Sequence, residues 1–135
     1  MLKSAGSGPA VVVCNTCRHS AADREDADGR RGGTRLADAL QHIRATEPQY
    51  QGVEVQQMPC LFACKDFCTI HLRAPGKVGY VLGRFAPDEE AARAILDYAV
   101  RYADSAHGQV PYKQWPDGVK GHFITRTPPE GYLVE

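Results

Sequence analysis

Ala10-Val-Val-Val-Cys-Asn-Thr-Cys17 is an apolar run that passes straight into two cysteines separated by two residues. Gly8-Pro9 precedes it, and the run is short and rich in β-branched residues, so it reads as a buried strand ending on Cys14. A second junction of the same kind lies downstream, where Gly52-Val-Glu-Val-Gln-Gln-Met58 alternates with period two and stops at Pro59-Cys60. Between the two, Leu36, Leu40 and Ile43 fall on one helical face, widened by Ala37 and Ala39. Thr34 is placed to cap that helix, which runs through Thr46, and Pro48 stops it. A strand, a helical crossover and a second strand form a parallel β-α-β unit, and parallel neighbours end side by side. Cys14 and Cys60 are thereby expected together, with Cys17 and Cys64 one loop away from each.

The remaining chain fills in around this unit. Residues 18–33 are polar and glycine-rich, an exposed loop with a helical turn expected at 21–27. Residues 60–67 are too short for a full helix and read as a tight loop or single turn. Cys68–Ala74 and Lys77–Phe85 are a third and fourth strand joined at Pro75-Gly76, hence a hairpin. Pro87-Asp-Glu-Glu90 is an acidic helix start that suits the orphan amides and the helix dipole. That helix runs to about Ala106 and ends near Gly108, its stripe being Ala91, Ile95, Tyr98 and Tyr102, with Ala92, Leu96 and Ala99 beside it. The expected fold is an α/β sandwich of order β-α-β-β-β-α over residues 1–108. Residues 109–135 form a C-terminal extension whose apolar anchors Trp115, Phe123, Ile124 and Tyr132 pack on the domain or on a second subunit.

Composition removes several function classes. At 135 residues the chain is one domain's worth of sequence, long enough to fold on its own core. Sixteen Lys and Arg balance sixteen Asp and Glu, so no general polycation argues for nucleic acid. Met1–Ser7 is too short and polar for a signal peptide, and no apolar run approaches the roughly 20 residues of a membrane helix. A cytoplasmic protein is expected. No glycine-rich phosphate loop follows a strand, since Gly6-Ser-Gly8 precedes the first one.

Five cysteines in a C-x2-C and a later C-x3-C-x3-C do not suit a secreted disulfide scaffold, which predicts even pairing and a leader. Four converging thiolates, Cys14, Cys17, Cys60 and Cys64, instead suit zinc or an iron–sulfur group, and spacing alone does not separate the two. Zinc usually rescues a domain with too little core and favours paired C-x2-C knuckles. The apolar Leu61-Phe62-Ala63 between the later ligands suits the shielding of a cluster. Cys68 stands as an alternative ligand or as a group just behind the ligands. Arg18, His19 and Lys65 flank the cysteines, placed to raise a redox potential or meet a partner, and His19, His71 and His122 are available to a zinc site.

The stretch Met58-Pro-Cys-Leu-Phe-Ala-Cys-Lys-Asp-Phe-Cys-Thr-Ile-His-Leu72, with the hairpin and helix after it, resembles the second half of thioredoxin-like [2Fe-2S] ferredoxins. The resemblance implies a thioredoxin-like fold and a [2Fe-2S] cluster, with Cys14 and Cys17 as first and second ligands and Cys60 and Cys64 as third and fourth. It also implies a homodimer. Phe62 replaces the glycine of that family's ligand loop, and Cys68 stands where it often has proline. The whole chain resembles the DUF1636 family, described as predicted metal-binding proteins, through Val-Val-Val-Cys-Asn-Thr-Cys, Met-Pro-Cys-Leu-Phe-Ala-Cys, Lys-Val-Gly-Tyr-Val-Leu-Gly and Gly-His-Phe-Ile-Thr-Arg-Thr-Pro-Pro. The expected function is electron transport with a redox protein partner and no enzymatic step. The alternative is binding or delivery of zinc or another divalent ion without redox work. A thiol–disulfide enzyme is disfavoured, because the long helix begins well after Cys17.

Overall fold

The computed structural model describes residues Met1–Glu135. Its centre is β1 (Ala10–Cys14), every residue of which is buried. Its side chains are buried on both faces, Val11 and Val13 on one and Ala10, Val12 and Cys14 on the other, which is why it reads as an unbroken apolar run rather than an alternating one. On one side lies β2 (Glu54–Met58), parallel and in register so that Cys14 stands opposite Met58. On the other lie β3 (Ile70–Arg73) and β4 (Gly79–Leu82), an antiparallel hairpin. A fifth strand, β5 (Phe123–Thr127), pairs antiparallel with β4 and gives the order β2-β1-β3-β4-β5.

Helices α1 (Gly32–Thr46) and α2 (Glu89–Asp104) pack on each other and on one face of this sheet, making two layers. Val11, Val13, Ile70, Leu72 and Leu82 point from the sheet into the same core as Leu36, Leu40 and Ile43 of α1 and Ile95, Leu96, Tyr98 and Tyr102 of α2. Asp88 caps α2 by accepting the Ala91 N–H at 2.9 Å. The Tyr102 hydroxyl donates to the Val78 carbonyl at 2.6 Å, tying the helix to the start of β4. No helix is long and apolar enough to cross a membrane.

Several local expectations are corrected. Helix α1 starts at Gly32 rather than Thr34, with Arg31 at the N-cap and no side-chain cap. Thr34 lies inside the first turn, and its hydroxyl donates instead to the Asn15 carbonyl at 3.2 Å. No helical turn forms at 21–27. Glu25 and Arg31 bridge as antiparallel partners, and Asp26 turns the loop by accepting the Asp28 and Arg30 amides at 2.9 Å each. The hairpin strands are shorter than their apolar runs: Cys68 and Thr69 precede β3, and beyond β4 the Gly83 amide leaves the ladder for the His122 carbonyl at 2.9 Å.

The C-terminal segment is largely structured. Val110 and Val119 enter the core, and Trp115 packs between Tyr98 and Phe123 at centroid distances of 5.8 and 4.6 Å. Its strand β5 was not expected from the sequence. The thioredoxin-like α/β class holds, with this strand added on the β4 edge.

Candidate metal centre

The first cysteine pair is fixed by backbone. Cys14 closes β1, its amide bonded to the Thr69 carbonyl at 3.1 Å, and the Cys17 amide turns back onto the Cys14 carbonyl at 3.4 Å. The N-terminus of α1 then presses on this turn, the Gly33 amide donating to the Cys17 carbonyl at 3.1 Å. The fit is close. A Cβ on Gly33 would lie 2.0 Å from the Cys14 carbonyl oxygen, and one on Gly32 would lie 2.4 Å from the Arg18 carbonyl oxygen and 2.7 Å from the Cys68 sulfur. The helix is therefore distant from Cys17 in sequence and adjacent in space, so the C-x2-C turn is supported by a helix N-terminus after all.

The second pair lies on the loop after β2. Cys60 and Phe62 hold positive φ angles of 52° and 58°, which curl the chain so that its amides point at sulfur. The Phe62 amide donates to the Cys60 sulfur at 3.3 Å, and the Leu61 amide faces the Cys14 sulfur across the two loops. The Cys60 amide in turn donates to the Thr16 hydroxyl at 3.2 Å, joining the loops a second time. A 3-10 turn over Cys64–Asp66 returns Cys64 so that its sulfur lies 3.6 Å from that of Cys60. Burial falls across the site: Cys14 and Cys17 are buried, Cys60 is half-buried and Cys64 is exposed.

Electrostatics match this arrangement. A hydrogen bond from Cys17, assisted by the Leu61 amide and Thr16 against the cost of burial, holds Cys14 well below the usual thiol range. Cys17, which keeps the shared proton, is pushed up by that same bond and by burial, while its sulfur lies 3.0 Å from the Thr69 hydroxyl. Cys64 is raised by its contact with Cys60. The pattern is one of thiols gathered without their counter-charge, the donor set that soft metals take as thiolates.

The other residues singled out in the sequence divide between this end and elsewhere. Cys68, at a φ of 47°, is fully buried, and its thiol points to the Arg18 and His19 carbonyls at 3.4 and 3.9 Å. Burial, followed by the negative charge at Cys14, pushes it up to about 12. Arg18 lies beside Cys17 and lines a cavity with it, and Lys65 is exposed directly after Cys64. His71 lies half-buried on β3, and His122 bonds the Gly83 carbonyl and stacks on Phe85 at 4.4 Å. No three His, Cys, Asp or Glu side chains are gathered tightly enough to close around a single ion. Sequence reasoning missed Thr16, Thr69, Gly32 and Gly33. The Gly32-Gly33 pair at a helix start was the available signal.

The donor chemistry of these four cysteines fits a thiolate-held group. Two thiolates bound to one tetrahedral metal at about 2.3 Å stand about 3.8 Å apart. The Cys60 and Cys64 sulfurs, at 3.6 Å, already hold that spacing.

No curated protein matches the chain. Among solved structures, a thioredoxin-like [2Fe-2S] ferredoxin from Aquifex aeolicus is similar over 95% of this chain and 100% of its own, with a TM-score of 0.56 and 18% identity. That likeness establishes the thioredoxin-like fold. A family model described as "Protein of unknown function (DUF1636)" matches residues 11–129, nearly the whole sheet and both helices, and the chain belongs to that family.

Proposed function

We propose that the protein is a [2Fe-2S] electron carrier, with Cys14 and Cys17 holding one iron and Cys60 and Cys64 the other. The observation that carries this reading is the pairing of the sulfurs. Cys60 and Cys64 lie 3.6 Å apart, Cys14 and Cys17 are near enough for each to shift the other's proton, and no larger group closes on one point. Two pairs suit a two-metal rhomb better than one tetrahedral zinc, which needs all four sulfurs mutually at about 3.8 Å. When bound, such a cluster supplies reversible one-electron transfer.

The chain's own contribution is ligation, hydrogen bonding and burial. The Phe62 amide donates to the Cys60 sulfur, the Leu61 amide faces the Cys14 sulfur, and the Thr69 hydroxyl sits at the Cys17 sulfur. Donors of this kind favour the more negative, reduced state and so raise a potential. Burial of Cys14 and Cys17 shields one side, and the exposed Cys64 leaves the other open to a partner.

The test is an absorption spectrum of anaerobically purified protein, with iron, acid-labile sulfide and zinc counted on the same sample. Absorption between roughly 400 and 600 nm with about two irons and two sulfides per chain is expected. A colourless protein with about one zinc, unchanged after reconstitution with iron and sulfide, refutes the carrier reading in favour of a structural or delivery site.

A further inference from the structure

The loop carrying Cys60 and Cys64 displays a side chain that folding does not explain. Phe62 is 96% exposed and stands at a φ of +58°, where glycine is the ordinary occupant and a bulky side chain is strained. It adds nothing to the core, so the chain bears backbone strain and a phenyl ring in water at the same position. Met58 and Pro59, at the junction that leads into the loop, are exposed as well.

Beside this apolar knob a cavity wall carries cations only, although exposed Asp23 and Glu25 flank Arg24 in the chain. A cavity of about 310 Å³ opens next to Cys17 and Cys64, lined otherwise by Thr16, Arg18, Arg24 and Arg31, with no carboxylate in its wall. None of these three arginines is in an ion pair, and neither is Lys65. The Arg18 Nε is buried without any hydrogen-bond partner. Several acids of the surrounding segments are already engaged: Asp26 by Arg35, Asp38 by Arg30 and Asp66 by Arg84. The chain as a whole is neutral and residues 18–31 set four arginines against four acids, so the excess of cations is confined to the cavity wall, where Arg31 also donates to the Thr16 carbonyl at 3.0 Å.

We propose that the cysteine end is a docking face for an acidic redox protein, which receives Phe62 in an apolar recess and sets carboxylates against Arg18, Arg24, Arg31 and Lys65. An exposed aromatic anchor within a charged rim is the anatomy of a steered, transient interface. A second copy of this chain is the poorer occupant, because it would bring the same cations face to face. The proposal rests on the electron-carrier reading, which is what gives a partner reason to approach the exposed Cys64.

The experiment immobilises three reconstituted proteins: the unaltered chain, Phe62→Gly, and the triple variant Arg18→Gln, Arg24→Gln, Arg31→Gln. Each is exposed to extract from the source cells at low salt. Retained proteins are identified, purified and titrated against all three, with thermal midpoint, iron and sulfide measured on every sample. The expected result is an acidic protein bound by the unaltered chain, weakened at least about 10-fold by either change and by salt near 0.3 M. Phe62→Gly is expected to keep the cluster and to melt no lower than the unaltered chain, which separates anchoring from a structural role.

Four results overturn the proposal: no retained protein, equal binding by Phe62→Gly, binding of inorganic phosphate alone, or a self-associated dimer that Phe62→Gly dissociates. If the protein holds zinc yet an acidic partner binds in a Phe62-dependent way, docking stands and the carrier reading fails. If the cluster is present without that dependence, the carrier reading stands and the docking face fails.

Discussion

Gly33→Ala is the substitution whose sign most sharply tests how the site is built. In a helix interior this change ordinarily stabilises by about 1 kcal/mol, because alanine loses less backbone freedom on folding. Here the added Cβ would stand 2.0 Å from the Cys14 carbonyl oxygen and 2.9 Å from both the Asn15 carbonyl carbon and the Cys17 amide nitrogen. All three are backbone atoms of the cysteine turn, so no side chain can swing aside. Helix α1 must lift from β1 and give up the Gly33 amide bond to the Cys17 carbonyl. Overpacking of this severity costs on the order of 3 to 4 kcal/mol, which leaves a net loss of about 2 to 3 kcal/mol after the helix gain. The thermal midpoint then falls by roughly 10 °C. Urea unfolding of the metal-free protein followed at 222 nm measures it, with bound iron counted on the reconstituted sample. Gly52→Ala serves as control, since nothing lies within 4 Å of a Cβ there and its φ is ordinary, and it should be neutral or slightly stabilising. A Gly33→Ala protein as stable as the unaltered chain would falsify the close packing of α1 on the cysteine turn.

Cys64→Ser should lose or badly weaken the cluster, whereas Cys68→Ser should keep about two irons per chain, because a serine hydroxyl can still donate to the Arg18 carbonyl that Cys68 now meets. Equal iron loss in both would undo the ligand assignment. Deleting residues 109–135 should leave a chain without a cooperative urea transition, since Val110, Val119 and Phe123 are withdrawn from the core and β4 becomes an edge. A sharp transition from that truncated chain would show the segment to be dispensable. Stability should start to fall near pH 9, where the unfolded chain releases the Cys68 thiol that the fold keeps protonated to about 12, and fall further towards pH 12. Burial raises Tyr50 and Tyr102 to about 12, helped at Tyr50 by Asp97 and at Tyr102 by the charge of Tyr80, while the unfolded chain releases those protons near 10.0. Each contributes on the order of 2 to 3 kcal/mol of that fall by pH 12. A urea midpoint that stays flat from pH 9 to 11 would count against it.

What the sequence disclosed follows burial and pattern. A strand buried on both faces must be apolar throughout, so Ala10–Cys14 was legible to the residue. The amphipathic stripe of α2 was legible for the same reason: Ala92, Ile95, Leu96, Tyr98, Ala99 and Tyr102 are its buried residues. The expectation for Thr34 failed because capping preference is local, and a nearby tertiary acceptor, the Asn15 carbonyl, took the hydroxyl. Gly32-Gly33 read as loop because glycine disfavours helices, although here close approach outweighs propensity. Strand β5 was hidden differently. Phe123-Ile-Thr-Arg-Thr127 is a plausible strand on its own, but Pro116, Pro128 and Pro129 made its surroundings look irregular, and its partner β4 is distant in sequence. At the site, convergence of the Cys14 and Cys60 loops followed from parallel topology. The threonines and amides that tune the sulfurs have no spacing signature to find.

The bond between the Gly33 amide and the Cys17 carbonyl has a consequence for how such a protein changes over generations. The chain leaves the site at Cys17 and returns to it at Gly33, so the segment between is a closed excursion with its ends pinned together. Its internal bonds, from the His19 amide to the Arg24 carbonyl and from the Asp26 amide to the Arg30 carbonyl, belong to itself. Closure entropy grows only with the logarithm of length, and doubling such a loop costs about 0.6 kcal/mol. Insertions and substitutions between the two anchors can therefore reshape the rim that carries Arg18, Arg24 and Arg31 while Cys14 and Cys17 stay where β1 and α1 hold them. The docking rim and the metal centre proposed above could thus vary independently.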